Sequence, residues 1–139
     1  MYKKILLATD GSEHSRRAAE HAIAMAKCTG GSKIEIVYVI DDDNAKSDVL
    51  QNWNKADLGD KRKDRIKFAE QQAKEAEVPY EIKTLHGEPG HAIVEYTNKN
   101  NMDVVVIGSR GLNVLQELVL GSVSHKVAKM ANCPVLIVK

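Results

Sequence analysis

The sequence predicts a doubly wound, Rossmann-like α/β fold, in which helices cover both faces of an open sheet of five parallel strands. Two observations predict it. Short segments rich in Ile, Val and Leu alternate with segments whose apolar residues recur every three or four positions, which is the spacing of one helix face. Three of the strand segments are also near-continuous apolar runs, as expected for strands that are buried on both sides. The alternating order implies right-handed crossover connections.

The N-terminal part of the chain supplies two strands and one helix. The first strand is predicted at Lys4–Ala8 and the second at Ile34–Ile40. The apolar part of the first segment is only four residues long before Thr9, so it is a strand rather than a signal peptide. An apolar stripe at helical spacing predicts the intervening helix, and its residues are Ala18, Ala19, Ala22, Ile23 and Ala26.

A polar region from Asp41 to Asp60 interrupts the alternation and contains the only tryptophan, Trp53. Loops longer than about 15 residues are uncommon in compact domains unless they are functional or mobile. The region is therefore either a lid or partner-docking loop, or a solvated connection with a helix that begins before Asp60. The strand Tyr80–Leu85 follows a second helical stripe, which consists of Ile66, Ala69, Ala73 and Ala76.

Two helices and two strands are predicted for the C-terminal part. A helix begins at Glu88-Pro89, because proline is favoured in the first helical turn. A strand follows at Val104–Ile107, and the next helix is predicted to be capped by Ser122. The last strand is Val135–Val138.

The charge of the chain is balanced, with 20 Lys and Arg against 19 Asp and Glu and a formal net charge of +1. This balance and the scarcity of aromatic residues argue against nucleic-acid binding. The two cysteines, Cys28 and Cys133, match no metal-binding spacing, and no apolar run approaches the roughly 18 residues of a membrane span. We therefore expect a single domain over residues 1–139 that is located in the cytoplasm.

The most informative motif follows the fourth strand. Gly108, Gly111, Gly121 and Ser122 form the pattern G-x2-G-x9-G-S between a buried strand and a helix. Glycine lets the main chain approach a ligand closely, and a helix N-terminus presents unpaired N–H groups and a partial positive charge. The pattern therefore predicts a phosphate-binding loop, with a nucleotide as its first candidate ligand. Tight turns and a helix start without any ligand are the alternative explanation of the same glycines.

A carboxylate follows the first strand, in the segment Ala8-Thr9-Asp10-Gly11-Ser12. Ligands of open α/β sheets bind outside the carboxyl ends of the strands, where the strand order reverses. If the first and fourth strands are neighbours, Asp10 and the glycine loop line one crevice. The alternative interpretation is that Asp10 and Ser12 only cap the first helix.

Together these segments resemble the universal stress protein family, in the subgroup whose members bind ATP. The resemblance covers essentially the whole chain and rests on four features: the opening K-I-L-L-A-T-D-G-S from Lys4, the strand Val37–Ile40, the segment His86-Gly87-Glu88-Pro89 and the G-x2-G-x9-G-S pattern. It implies the sheet order 3-2-1-4-5, which makes the first and fourth strands neighbours. It also implies a homodimer through the last strand, Val135–Val138, an apolar edge with no charge before Lys139.

The resemblance implies a complete ATP site. Asp10 would contact the ribose or a Mg²⁺ or Mn²⁺ ion held mostly by the phosphates. The phosphates and the ribose would contact the glycine loop and the start of the last helix, at Gly108, Gly111, Gly121, Ser122, Val123 and Ser124. The adenine would be enclosed by Ala8, Thr9, Val39 and Ile107. Ala8 stands where many relatives have proline, and Ser124 where a threonine is frequent. Because Ser124 keeps the hydroxyl of that threonine, the resemblance implies that its hydroxyl still contacts phosphate. Arg110 would either neutralise phosphate charge or be solvated at the tip of the loop.

No sequence pattern indicates efficient phosphoryl transfer. The chain lacks a G-x4-G-K-[ST] loop and hence the lysine that such loops place on the phosphates. Amides and a metal ion would bind ATP with little preference for the transition state, and binding alone does not accelerate chemistry. The leading hypothesis is an ATP-dependent sensor or switch, with AMP or ADP as other ligands, that is read by a protein partner. The alternatives are a slow ATPase or nucleotide-transferring enzyme, and a dimeric interaction protein that binds no nucleotide.

Overall fold

The computed structural model describes residues 1–41, 55–110 and 121–139, and of residues 55–62 it describes the backbone only. Strands and helices alternate through these ranges. They are β1 (Lys4–Ala8), α1 (Glu13–Thr29), β2 (Lys33–Ile40), α2 (Lys55–Glu75), β3 (Tyr80–His86), α3 (Pro89–Lys99), β4 (Val104–Gly108), α4 (Ser122–Met130) and β5 (Val135–Val138). The predicted alternation is confirmed, and each predicted strand boundary lies within one residue of the observed one.

The polar region predicted over Asp41–Asp60 is helical at its C-terminal end. Because α2 begins at Lys55, the prediction of a helix that begins before Asp60 is confirmed. Trp53 and the rest of residues 42–54 lie outside the described residues, so a lid or docking role for this segment stays a prediction.

All five strands are parallel, and their order across the sheet is β3-β2-β1-β4-β5. The central strand β1 pairs with β2 through Leu6 opposite Glu35 and with β4 through Leu6 opposite Val105. The chain therefore adds β2 and β3 on one side of β1, and then β4 and β5 on the other side. This reversal confirms the predicted order and makes the β1–β4 junction the topological switch point of the sheet.

Alternating residues of the strands enter two separate cores, because successive side chains of a strand point to opposite faces. Ile5 and Leu7 of β1 pack against α1 and α2, on what we call the α1–α2 face. Leu6 and Ala8 point the other way and pack with residues of α3 and α4, on the α3–α4 face. Both cores are almost free of solvent contact, which explains the near-continuous apolar runs of the central strands.

No helix among the described residues is long and apolar enough to cross a lipid bilayer. Cys28 and Cys133 are both free thiols in the structure, the first exposed and the second partly buried. Burial raises the pKa of the Cys133 thiol, so this cysteine is held in its neutral form.

Candidate functional site

The candidate site lies at the carboxyl edge of the sheet, between the ends of β1 and β4. Leu7 and Val106 are register partners near these ends, so the segments that leave the two strands start side by side. The chain passes from β1 into α1 on one face of the sheet, whereas α4 covers the other face. The two helices therefore diverge from one crevice, which is the usual ligand position in an open α/β sheet.

Asp10 is held in a turn that starts α1. Its Oδ1 atom accepts a hydrogen bond from the Ser12 N–H at 2.9 Å, and the Ser12 hydroxyl oxygen accepts one from the Ser15 N–H at 3.2 Å. Ser12 is the N-cap residue of α1, so the capping interpretation is confirmed for Ser12, and Asp10 braces the same turn. The hydrogen bond to Oδ1 thus fixes the orientation of the Asp10 carboxylate, which is half-buried at this edge of the sheet.

The carbonyl oxygen of Ser109 anchors the start of α4. It accepts hydrogen bonds from the Gly121 N–H at 2.8 Å and from the Ser124 hydroxyl at 3.0 Å. On the other side of the same residue, the Ser109 N–H donates to the Val138 carbonyl of β5 at 2.7 Å. Ser109, which is 7% exposed, therefore joins the end of β4 to both α4 and the edge strand.

The prediction that Ser122 caps α4 is wrong. Gly121 is the N-cap residue, in an extended conformation and without a side-chain cap, and Ser122 is the exposed first residue of the helix. The physical reason is the bond from Gly121 to Ser109, which holds Gly121 at the helix start, so the helix begins one residue earlier than predicted. The N–H groups of Ser122, Val123 and Ser124 consequently form the open first turn, which has no intrahelical partners.

The Ser124 hydroxyl has an internal role. Ser124 is 2% exposed, and its hydroxyl donates to the carbonyls of Ser109 and Gly121, each at 3.0 Å. The group that Ser124 offers at the helix start is thus its backbone N–H. This differs from the expectation, from the resemblance, that the hydroxyl itself contacts phosphate.

Packing explains part of the glycine pattern. A Cβ atom on Gly108 would lie 2.8 Å from the His14 Cβ and 2.9 Å from the His14 carbonyl carbon, a distance that real side chains do not adopt. Gly108 is therefore required by the close approach of α1 to β4, whatever binds nearby. At Gly121 a Cβ would lie 3.3 Å from the Ser109 oxygen, so this contact is tight as well. Gly111 lies outside the described residues.

Three of the four residues predicted to enclose an adenine lie on one face of the sheet. Ala8 and Ile107 are each 6% exposed and Val39 is half-buried, and all three belong to the α3–α4 core. Thr9 is buried at the end of β1, where its N–H donates to the Val37 carbonyl at 3.0 Å. These residues therefore lie at or near the carboxyl ends of three adjacent strands, β2, β1 and β4.

Arg110 lies beside the start of α4. Its Cα is 3.5 Å from the position of a Cβ on Gly121, and the residue is half-buried. Phosphate neutralisation and solvation at the loop tip therefore both stay predictions for the Arg110 side chain.

Two residues beside the crevice, His14 and Arg65, were missed by sequence reasoning. The His14 Nδ1 atom lies 3.2 Å from the Ser109 hydroxyl oxygen, across 95 residues of chain. The Arg65 guanidinium donates to the Tyr38 hydroxyl at 2.9 Å, and the Arg65 carbonyl accepts from the Thr9 hydroxyl at 3.5 Å. No local sequence pattern predicts contacts between elements so far apart in the chain, so only the tertiary structure reveals them.

Glu88 links α3 to α4 at the same edge of the sheet. Its carboxylate accepts from the N–H groups of Gly90 at 3.0 Å and His91 at 2.8 Å, and from the Lys126 ammonium at 3.1 Å. Burial opposes ionisation, but these donors outweigh it and hold the pKa of the Glu88 carboxyl below its ordinary value. The predicted helix start at Glu88-Pro89 is confirmed, with Glu88 as the N-cap.

Comparison with known proteins identifies the family of the chain. A sequence profile described as the Universal stress protein family matches residues 1–139. The universal stress protein MJ0531 of Methanocaldococcus jannaschii is 35% identical over 142 residues, and the match covers 100% of this chain and 83% of that protein. The chain belongs to the universal stress protein family.

Two solved structures show how closely the fold follows that of this family. The structure of protein MJ0577, a universal stress protein of Methanocaldococcus jannaschii, has a TM-score of 0.87 and 32% identity, and the match covers 100% of this chain and 96% of that one. A universal stress protein in complex with cAMP has a TM-score of 0.72 and 27% identity, with 99% and 97% of the two chains covered. The second structure shows that a protein of this family holds a nucleotide.

Proposed function

We propose that this universal stress protein binds ATP in the crevice between β1 and β4 and acts as a nucleotide-dependent sensor or switch. The observation that carries the proposal is the anchoring of α4: the Ser109 carbonyl, directly after β4, holds a first turn whose N–H groups have no intrahelical partners. Such a helix start attracts anions through its N–H groups and its dipole. The cAMP complex of a relative with 27% identity supports a nucleotide as the ligand, and AMP or ADP are the alternatives to ATP.

In this proposal the two ends of the crevice bind different parts of ATP. The amides at the start of α4, together with Gly108, Gly111 and Arg110, contact the phosphates. Asp10 contacts the ribose or a phosphate-bound Mg²⁺ or Mn²⁺ ion. The adenine lies against Ala8, Thr9, Val39 and Ile107, three of which belong to one apolar core.

The residues fit a metal ion that arrives with the nucleotide. Among the described residues, no group of three or more His, Cys, Asp or Glu side chains is placed to hold a metal ion. Asp10, whose Oδ1 is already bonded to the Ser12 N–H, would add one carboxylate to oxygens supplied by the phosphates. The ion would neutralise phosphate charge, and we expect hydrolysis to be slow at most.

Replacement of Ser122 by proline tests the phosphate site directly. Proline lacks the N–H group but is favoured at the first position of a helix, so Ser122→Pro removes one donor and leaves α4 intact. Hydrogen bonds to a charged group contribute about 1.5–3 kcal/mol, so we expect the dissociation constant of MgATP to rise about 10- to 150-fold. Isothermal titration calorimetry measures it.

Ser122→Ala is the matched control, because it removes only the exposed hydroxyl and keeps the N–H group. We expect this variant to bind MgATP nearly as the wild type does. Equal affinity of the proline variant and the wild type would contradict the phosphate assignment. Wild-type protein that neither binds MgATP nor contains nucleotide in native mass spectra would contradict the proposed function.

Turnover measurements distinguish the sensor from an enzyme. Hydrolysis of ATP that is lost in Asp10→Ala, while ATP binding persists, would favour the slow ATPase. A sensor instead predicts that ATP binding changes the affinity for a protein partner. We also infer a cytoplasmic location, because the exposed free Cys28 matches the reducing conditions of that compartment.

A further inference from the structure

Ser109 is the junction at which four elements meet. Its carbonyl holds the first turn of α4 through Gly121 and Ser124, and its N–H is bonded to Val138 of β5. Its side chain turns toward the opposite face of the sheet, where the hydroxyl lies 3.2 Å from the His14 Nδ1 atom of α1. One buried residue thus carries hydrogen bonds from its carbonyl, its amide and its side chain, each to a different element.

His14 touches this junction in a second way. Its Cβ and backbone occupy the space above Gly108, where even a methyl group would lie 2.8 Å from the His14 Cβ. The first turn of α1 is therefore pressed onto the last residue of β4. This contact fixes the distance of the His14 backbone and Cβ from β4, and the Nδ1 atom lies within hydrogen-bond distance of the Ser109 hydroxyl.

We propose that His14 is a positioning residue of the nucleotide site: its bond to Ser109 fixes the peptide that anchors the start of α4. This inference rests on the proposed nucleotide-binding function. His14 belongs to α1, which packs on the α1–α2 face, whereas α4 packs on the other face. It therefore acts through Ser109 rather than by contact with phosphate.

Loss of the His14 bond would change the affinity through the geometry of the Ser109 peptide. Ser109 is 7% exposed, so a hydroxyl that loses His14 must turn toward another partner inside the protein. Its carbonyl accepts two hydrogen bonds from α4, and such bonds weaken steeply as their angles change. A small rotation of the Ser109 peptide therefore misplaces the amides of Ser122, Val123 and Ser124.

A double-mutant cycle on His14 and Ser109 tests the proposal. His14→Ala keeps the Cβ that packs on Gly108 and removes the imidazole with its hydrogen bond, and Ser109→Ala removes the other partner. We expect the dissociation constant of MgATP to rise in each, by at most about tenfold, which is the factor for one net hydrogen bond, because the bond also exists in the protein without nucleotide. The double variant should be no worse than either single variant, because both remove the same bond.

Two further variants separate positioning from general stability. His14→Asn places an amide near the position of Nδ1 and should restore most of the affinity. His21→Ala changes an exposed histidine of the same helix and should bind as the wild type does. In the nucleotide-free protein, hydrogen exchange of the Gly121 amide should be faster in His14→Ala and Ser109→Ala and unchanged in His21→Ala.

The exchange measurement also keeps this inference separate from the proposed function. If the wild type binds no nucleotide, the proposed function fails. Exchange at Gly121 alone then decides whether His14 fixes the Ser109 peptide that anchors the start of α4. Wild-type exchange at Gly121 in His14→Ala would overturn the inference. Faster exchange at all core amides alike, including Leu6, would indicate general destabilisation and would overturn it too.

Discussion

Gly11 lies in the turn between β1 and α1 and has a φ angle of +83°. A Cβ atom there would be 2.8 Å from the Arg65 Cγ and 3.1 Å from the Arg65 Cα. A side chain at this position is therefore opposed both by the backbone conformation and by the close packing of α2. We expect Gly11→Ala to lower the free energy of unfolding by about 2–3 kcal/mol, which urea denaturation measures.

Gly30 provides a control at the residue scale. It has a similar φ of +70°, but a Cβ on it would have no atom within 4 Å. Because its ψ is 136°, Gly30→Ala should cost only conformational strain, about 1–3 kcal/mol, without a steric contact. Wild-type stability of Gly11→Ala beside a destabilised Gly30→Ala would contradict the effect of the Arg65 contact.

The sequence singled out individual residues at the carboxyl edge of the sheet by their type, but it did not reveal their contacts. Asp10 and the glycines of the motif stand out because few residue types suit a turn or a close approach. The reason for Gly108, however, is largely the neighbouring His14, which lies 94 positions away in the sequence. A contact of that kind depends on how α1 lies on the sheet, which no local pattern encodes.

At the scale of elements, the α3 N-terminus is tied to α4 by Glu88 and Lys126. We expect Glu88→Gln to lower the free energy of unfolding by about 0.5–1 kcal/mol at pH 7, as for other N-cap losses. The contribution of the ion pair is small, because the two side chains are 54% and 46% exposed and water screens the charges. Thermal or urea denaturation at several pH values measures the effect.

The pH dependence of this difference follows from the lowered pKa of Glu88. A carboxyl whose pKa is lower in the folded state stabilises the protein above its unfolded pKa of about 4.3 and loses this contribution as the pH falls through the folded value. The wild type and Glu88→Gln should therefore converge in stability at acidic pH. Glu95→Gln, on the exposed side of the same helix, is the control and should show almost no difference at pH 7. A constant difference down to pH 2 would refute the role of the Glu88 charge.

The bounds and order of the strands and helices were the features predicted most accurately from the sequence. Strand boundaries agree within one residue because burial on both faces imposes continuous apolar runs, which glycine and polar residues interrupt. The start of α4 was predicted one residue too late, since the cap is set by a backbone bond from Gly121 to Ser109 rather than by the Ser122 side chain.

At the scale of the whole molecule, β5 is an edge strand, and Leu136 within it is 37% exposed. The carbonyls of Pro134 and Val138 accept bonds from β4, so by strand alternation the N–H and C=O groups of Val135 and Ile137 point away from the sheet. We propose that two copies pair through this edge, as the family resemblance implies. Such a pairing would satisfy these outward backbone groups.

Replacement of Ile137 by proline tests the dimer. Ile137→Pro removes an outward N–H group, which an edge strand tolerates, and in a two-fold dimer the loss occurs twice. Two lost hydrogen bonds of about 1 kcal/mol each raise the dissociation constant of the dimer about thirtyfold. Ile137→Ala loses packing but keeps the N–H group, so it should remain dimeric. Sedimentation velocity at micromolar concentration measures both, and a monomeric wild type would contradict the proposed edge.

The sequence by itself determined the succession of strands and helices, the glycine-rich segment after β4 and the carboxylate after β1. These features follow from burial, periodicity and backbone freedom, which act over neighbouring residues. Only the tertiary structure decided which of them meet. The placement of β4 beside β1 brings the carboxyl ends of these two strands together, and the packing of α1 on Gly108 brings His14 to Ser109. Both depend on contacts between distant segments, whose partners are selected when the whole core packs.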